Sequence, residues 1–170
     1  MKRFTFLVVL LATVLGSFSA FAYQPEPTTL IFVRHAEKAD DGTRNPPLNE
    51  KGMERAKNLA TVLSEGYDLA AIYSTPYLRT ELTAAPTAES LELEIQSYGF
   101  DDPNGFLSGL ISENRGKAVL IVGHSNTTPN FMNRVLGEEK YSQFDEKAYG
   151  DVYVITTTEL GSGTVKVLEF

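Results

Sequence analysis

Short apolar runs alternate with stretches of helical spacing along most of this chain. Residues 29–33 form a β-rich run, and a helix is predicted to follow from the N-cap Asn49 to Gly66. Its apolar positions are Met53, Ala56, Leu59, Ala60 and Leu63. Residues 70–74 make the next apolar run. The first third of the chain therefore predicts strand, helix and strand in succession.

The next residues predict a helix and a strand that is polar on one face. Thr75-Pro76 supplies an N-cap and a proline suited to a first helical turn, in a helix that carries Arg79 and ends near Pro86. A third strand is predicted where apolar and polar residues alternate. Its apolar positions are Leu91, Leu93 and Ile95.

The rest of the chain predicts two helices, a buried strand and a hairpin. One helix begins at Asp102-Pro103, and another runs from Thr128-Pro129 to Gly137. Between them, residues 118–122 are almost continuously apolar, which is typical of a parallel strand that is buried on both faces. Residues 152–156 and 164–168 flank Gly161-Ser162-Gly163 as a terminal hairpin. The pattern predicts an α/β domain with parallel central strands.

The start of the chain is interpreted separately from this domain. Lys2-Arg3 is basic, residues 4–18 are uncharged and apolar, and Ala20-Phe21-Ala22 fits a cleavage site. This is the pattern of a secretory signal peptide. We expect a signal peptide at residues 1–22 and one globular domain at 23–170, which would be periplasmic or secreted.

An uncleaved anchor is the alternative, because about 20 apolar residues can span a bilayer. The small residues at the end of the segment favour cleavage, so we expect no stable membrane association afterwards. A lipid anchor on cysteine is excluded because the chain has no Cys, and the same absence excludes disulfides and thiolate metal sites.

The charge balance bears on the partners of the domain. Without Lys2 and Arg3, 13 basic residues face 22 acidic ones, and the formal net charge changes from −7 to −9. No nucleic-acid partner is expected from this balance. An anionic substrate is still compatible with it, because exposed charges beyond about 8 Å are screened at physiological salt and a local arginine cluster can dominate.

The two histidines of the chain each follow a predicted strand. His35 follows residues 29–33 through Arg34, and His124 follows residues 118–122 through Gly123. Ligands of open α/β sheets bind beyond the carboxyl ends of the strands, so both imidazoles are expected at one pocket. One ring could attack a substrate while the other assists.

Four segments in order resemble the histidine phosphatase superfamily, also called phosphoglycerate mutase-like. They are Arg34-His35, the stretch from Asn45 to Gly52, the stretch from Ser74 to Thr80 with Thr83-Ala84, and Gly123-His124-Ser125. The short span between Arg79 and His124 is similar to the small phosphohistidine phosphatase branch. The resemblance implies a three-layer α/β/α sandwich with a mostly parallel central sheet and an open pocket.

The resemblance implies a phosphatase that hydrolyses a phosphomonoester or phosphoramidate through a phosphohistidine. His35 would be the nucleophile and His124 would donate hydrogen bonds to the phosphoryl oxygens. Arg34 and Arg79 would bind the phosphate, since each guanidinium offers a planar fork of donors. No metal and no cofactor are expected when these groups neutralise the charge.

Two departures from the family pattern affect specificity and proton transfer. Ala36 stands where the family has glycine after the histidine, and it adds only a methyl group beside the pocket. The proton donor has no clear match. Asp101 is the tentative candidate. Asp102 is a second candidate, but it is explained equally well as a helix N-cap. Glu37 is a third, but it could simply pair with Lys38 or Arg44. Without a strong acid, substrates with good leaving groups are favoured.

Two other functions are weighed against hydrolysis. A phosphomutase or other phosphotransferase would need additional basic residues near the motifs, of which only Lys38 and Arg44 are available. A catalytically weak phospho-ligand binding protein would not need His35. The expected partner is a phosphorylated small molecule, an envelope phosphate or a phosphoprotein.

Overall fold

The computed structural model describes residues 25–169 as six strands and four helices. In chain order they are β1 (Thr28–Arg34), α1 (Glu50–Gly66), β2 (Leu69–Ser74), α2 (Leu78–Leu91), β3 (Ile95–Ser97), α3 (Pro103–Glu113), β4 (Ala118–Gly123), α4 (Thr127–Leu136), β5 (Asp151–Thr157) and β6 (Thr164–Glu169). The predicted signal peptide lies outside the described residues. Within residues 25–169, no helix has the length and apolar character needed to cross a membrane.

The six strands form one sheet in the order β3-β2-β4-β1-β5-β6. The first four strands in this order are parallel, and β5 and β6 are antiparallel at one edge. The prediction of an α/β fold with a mostly parallel sheet is confirmed. The terminal hairpin supplies the antiparallel pair.

Helices cover both faces of the sheet because successive side chains of a strand point to opposite sides. On β1, Leu30 and Phe32 pack into the core beneath α3 and α4. Ile31 and Val33 pack into a second core beneath α1 and α2. All six residues of β4 are buried, as its continuous apolar run predicts. The architecture is the expected three-layer α/β/α sandwich.

The second helix differs from the prediction at both ends. It begins at Leu78, after Tyr77, so Thr75-Pro76 lies in the preceding turn. It also continues through Pro86, although an interior proline costs about 3 kcal/mol through its missing N–H and its clash with the previous turn. The buried face of α2 packs on α1 and the sheet, and this tertiary packing outweighs the local preference.

The third strand is shorter than its alternating pattern suggests. Leu91 ends α2, and Glu92 adopts a left-handed backbone with a φ of 54° that closes the helix. Pairing with β2 begins only at Ile95. Two of the three apolar residues of the apparent strand pattern, Leu91 and Leu93, therefore belong to a helix end and its connection.

The register of the sheet brings the carboxyl ends of three strands together. Arg34 at the end of β1 pairs with Gly123 at the end of β4, and Ser74 at the end of β2 pairs with Val122. The residues that follow these strands are His35, Thr75 and His124. The fold therefore places both histidines at one edge of the sheet.

Candidate active site

A cavity of about 400 Å³ opens at the carboxyl edge of the sheet. Both histidines and Arg79 line it, together with polar and aromatic side chains from five connections between strands and helices. The other lining residues are Lys38, Tyr77, Phe100, Ser125, Asn126, Thr127, Gln143 and Glu146. The expectation of a shared pocket agrees with this placement.

His35 is a buried ring whose hydrogen bond selects one of its two nitrogens. Nδ1 lies 2.8 Å from the carbonyl oxygen of Ala36, which can only accept, so Nδ1 carries the proton. Burial, reinforced by the charges of Arg34 and Arg79, lowers the pKa of His35 to about 4. The ring is therefore neutral near pH 7, and Nε2 keeps a lone pair.

The backbone after His35 is held by two helices. The N–H of Ala36 donates to Thr83 Oγ1 on α2 at 2.9 Å. At the start of α1, a Cβ on Gly52 would collide with the carbonyl oxygen of Glu37, so glycine permits the close approach. The methyl group of Ala36 is buried with Leu48 rather than in the pocket, which corrects the expectation that it borders the substrate.

His124 follows β4, with its ring centroid 5.5 Å from that of His35. Its Nε2 lies 2.9 Å from Thr75 Oγ1, and the Tyr77 ring packs edge-on against it. Burial and the charges of Arg79 and Arg34 lower the pKa of His124 to about 4. Thr75 was predicted as a helix N-cap, but its hydroxyl binds this histidine instead.

Arg79 lies in the first turn of α2 and lines the pocket. Its guanidinium stacks over the Tyr77 ring, with Cζ 4.6 Å from the ring centroid. Within residues 25–169 this guanidinium makes no hydrogen bond or ion pair, so its donors are available to an anion. The predicted phosphate-binding role of Arg79 is compatible with this geometry.

Arg34 is placed differently from Arg79. Its Nη1 donates to the carbonyl oxygens of Asp145 and Ala148, at 2.7 and 3.0 Å, and its guanidinium lies over the Tyr149 ring. Its Nη2 forms an ion pair with Glu146 at 3.0 Å. Arg34 lines a neighbouring small cavity, so the structure does not bring its terminal donors into the main pocket.

Unlike the two Nη atoms, the Nε atom of Arg34 is buried and has no hydrogen-bond partner among residues 25–169. The charge of Arg34 still acts on both histidines. In this structure Arg34 therefore anchors the loop at residues 145–149 and contributes positive potential. A direct phosphate contact stays a prediction.

None of the three carboxylates considered as proton donors lines the main pocket. Asp101 is exposed in a separate depression beside Tyr73. Asp102 accepts the N–H of Gly105 at 2.9 Å and is the N-cap of α3. Glu37 is buried in an ion pair with Arg55 at 2.8 Å, not paired with Lys38 or Arg44.

Glu146 is the pocket-lining carboxylate that the sequence did not indicate. It accepts the hydroxyl of Ser125 at 2.6 Å and pairs with Arg34. The hydrogen bond from Ser125, supported by nearby positive charges, lowers the pKa of Glu146. It is therefore ionised at neutral pH. The loop that carries it has no apolar periodicity, so no local pattern could have placed it at the pocket.

A family model gives independent evidence on this arrangement. The model describes the histidine phosphatase superfamily (branch 1) and matches residues 30–98, which include Arg34, His35 and Arg79. The match covers less than half of the chain and supports the resemblance to this superfamily that the sequence motifs indicate. His124 lies beyond the matched segment, and the fold of this chain places its ring beside that of His35.

One curated relative and two solved structures are also similar to this chain. Phosphoserine phosphatase 1 from Hydrogenobacter thermophilus is 39% identical over 92 residues, which cover 49% of this chain and 43% of that protein. The match therefore spans less than half of the relative. The protein histidine phosphatase SixA in complex with tungstate has a TM-score of 0.66 at 17% identity, covering 83% of this chain and 96% of SixA.

A second solved structure is similar over a shorter stretch. Phosphoserine phosphatase from Entamoeba histolytica, in complex with 3-phosphoglyceric acid, has a TM-score of 0.59 at 18% identity. The match covers 75% of this chain and 90% of the Entamoeba histolytica protein. At these identities the likeness to both solved structures shows the phosphoglycerate mutase-like fold of the superfamily.

Proposed function

We propose that this protein is a metal-independent phosphatase that acts through a phosphohistidine on His35. The observation that carries the proposal is the hydrogen bond from His35 Nδ1 to the carbonyl of Ala36 in a pocket shared with His124 and Arg79. It leaves a neutral Nε2 lone pair at the floor of a cationic pocket. Those are the requirements of a nucleophile for phosphorus.

The reaction follows two displacements. Nε2 of His35 attacks phosphorus, the bond from phosphorus to the leaving oxygen or nitrogen breaks, and water protonates the leaving group. A second water then attacks the phosphohistidine, the P–N bond breaks, and phosphate is released. Arg79 and His124 stabilise the charge on the equatorial oxygens in both steps.

The carboxylates of the pocket support a substrate with a good leaving group. Glu146 is ionised, and Asp101, the tentative donor, lies outside the pocket. With no protonated acid beside the leaving atom, phosphohistidine or an acyl phosphate is a better substrate than a sugar phosphate. The similarity to SixA favours a phosphohistidine substrate, and the similarity to phosphoserine phosphatase 1 makes phosphoserine the second candidate.

The test is a substrate panel with phosphoenzyme trapping. Purified protein is incubated with phosphohistidine, acetyl phosphate, phosphoserine and sugar phosphates, and released phosphate is measured. Rapid denaturation should trap acid-labile, base-stable phosphate on His35. Transfer to an added alcohol instead of water would indicate a phosphotransferase. Binding of phosphate without any phosphoenzyme would indicate a binding protein.

Activity should survive removal of divalent metals. Arg79 and the two histidines supply the positive charge and the hydrogen-bond donors that a catalytic metal would otherwise provide. Protein treated with EDTA and assayed in metal-free buffer should retain its kcat/KM. Loss of activity that only a divalent ion restores would show that a metal neutralises the phosphate.

We further propose that the phosphatase domain is exported. Lys2-Arg3, the apolar stretch and Ala20-Phe21-Ala22 predict cleavage before Tyr23. Mass spectrometry of protein from a Gram-negative expression strain should show a chain that starts at Tyr23 in the periplasmic fraction. Recovery of intact residues 1–170 in washed membranes would mean that the segment is an anchor.

A further inference from the structure

Two buried hydroxyl groups lie beneath His124 at the start of α2. Thr75 and Thr80 are both fully buried. Thr75 Oγ1 is 2.9 Å from His124 Nε2 and 3.0 Å from Thr80 Oγ1. Each hydroxyl has one proton to donate. The direction of donation along Thr80, Thr75 and His124 therefore decides which ring nitrogen of His124 carries hydrogen.

The surrounding carbonyl groups do not require the proton of Thr80. Its hydroxyl is placed to donate to the Thr75 carbonyl at 2.8 Å or to the Tyr77 carbonyl at 2.9 Å. The Thr75 carbonyl already accepts the Tyr77 N–H and the Ser74 hydroxyl, at 2.8 and 2.9 Å. The Tyr77 carbonyl already accepts the N–H groups of Thr80 and Glu81. Each of these carbonyl oxygens therefore has two other donors, and the single proton of Thr80 can be donated to Thr75 Oγ1 instead.

The other nitrogen of His124 opens to the pocket. Within residues 25–169, Nδ1 of His124 makes no hydrogen bond, and it is not one of the buried unpaired atoms. An Nδ1 lone pair would repel phosphoryl oxygens, whereas an Nδ1–H group would donate to them. With the lowered pKa of His124, the ring holds a single proton at neutral pH. Around the ring, the charged or titratable groups are Arg34, His35, Lys38, Tyr77, Arg79 and Glu146.

We propose that Thr80 donates to Thr75 and Thr75 donates to Nε2 of His124, which holds the neutral ring with its proton on Nδ1, facing the phosphoryl site. Thr75 is then a positioning residue that acts through His124. The tautomer is a property of the resting protein. Its use as a donor to the transferring phosphoryl group rests on the proposed phosphatase function.

The chain has only two histidines, so the tautomers can be read directly by NMR. Protein produced without a histidine tag and labelled with ¹⁵N-histidine is examined at pH 7 in phosphate-free buffer. Long-range ¹H–¹⁵N correlations should show Nδ1–H on both rings. The spectrum of His35→Gln retains only the His124 signals and so assigns each set of signals to its histidine. An Nε2–H tautomer at His124 in the wild type would overturn the proposal, whatever the variants do.

Variants at Thr75 separate hydrogen bonding from packing. Thr75→Val cannot donate, so His124 should shift toward Nε2–H, and kcat/KM for p-nitrophenyl phosphate should fall by about 10- to 100-fold. Thr75→Ser should restore both the wild-type tautomer of His124 and the wild-type kcat/KM. The matched control is Thr87→Val, since Thr87 is also fully buried on α2 and its hydroxyl has no partner among residues 25–169.

Several results would contradict the role of Thr75. They are an unchanged tautomer in Thr75→Val, an equal loss of activity in Thr87→Val, or a further loss when Thr75→Val is added to His124→Gln. Absence of turnover in the wild type would refute the proposed phosphatase function while leaving the tautomer result intact. If Thr75→Val does not fold, the wild-type spectrum and Thr75→Ser still decide the question.

Discussion

Replacement of His35 by alanine should abolish turnover, with a loss on the order of 10⁴-fold or more in kcat. The loss should be this large because the covalent route disappears altogether, and no other described side chain in the pocket presents a neutral imidazole nitrogen with the same fixed orientation. The measurement is kcat and kcat/KM for a phosphomonoester, with parallel trapping of radiolabelled phosphate. The variant should give no acid-labile phosphoenzyme.

Folding of the variant is checked separately from its activity. The ring of His35 is buried and contacts His124, so its loss removes some packing and the hydrogen bond to the Ala36 carbonyl, while the Ala36 N–H still bonds to Thr83. Circular dichroism and the thermal midpoint should stay close to wild type. Turnover near the wild-type rate in folded His35→Ala would refute the covalent mechanism. The more nearly isosteric His35→Gln should be equally inactive, because an amide cannot act as the nucleophile.

The pH dependence follows from the same ring. Burial lowers the pKa of His35 to about 4, so the nucleophile is protonated and inactive only below that value. Activity that depends on His35 should therefore be retained when the pH falls from 7 to about 5 and should be lost toward pH 4, provided that the substrate does not titrate over this range. This condition is met by comparing substrates with different phosphate pKa values.

Most of the fold could be predicted because the strands are short, apolar and bounded by recognisable caps. Asn49 and Asp102 both accept the N–H that a helix N-cap should accept, three residues ahead. Gly137 ends α4 in the left-handed conformation that favours glycine. Because the strand ends were placed correctly, the edge of the sheet that holds both histidines followed from topology alone.

The parts that could not be predicted depend on partners distant in sequence. Thr75 has the local signature of an N-cap, but its hydroxyl instead forms a hydrogen bond with the half-buried imidazole of His124, 49 positions away. Arg34 is held by carbonyl oxygens more than 110 positions away, in a loop without apolar periodicity. Glu37 was considered as a proton donor or as a partner of Lys38 or Arg44, and it instead binds Arg55 on α1, 18 positions away. Local patterns do not report such contacts, because nothing in the spacing of residues encodes them.

Arg79→Lys should fail to sustain catalysis even though it keeps the positive charge. Guanidinium presents a planar fork that can bind two phosphoryl oxygens at once, whereas ammonium is a compact point charge on a flexible stem. The Arg79 guanidinium is also oriented by stacking on Tyr77, a geometry that lysine does not reproduce. We expect a loss of at least about 2 kcal/mol of transition-state stabilisation, roughly 30-fold in kcat/KM.

The measurement compares kcat/KM of Arg79→Lys with that of Arg115→Lys. Arg115 is exposed in the connection before β4, at the opposite edge of the sheet, and its one hydrogen bond to residues 25–169 is a long one of 3.4 Å to the Thr158 carbonyl. Its replacement should leave activity unchanged, which controls for the general effect of exchanging arginine for lysine. A deficit in kcat with little change in KM would place the contact of Arg79 in the transition state. Equal kcat/KM in both variants would show that Arg79 holds no phosphoryl oxygen, and the charge of the phosphate would then have to be met by Lys38, which also lines the pocket.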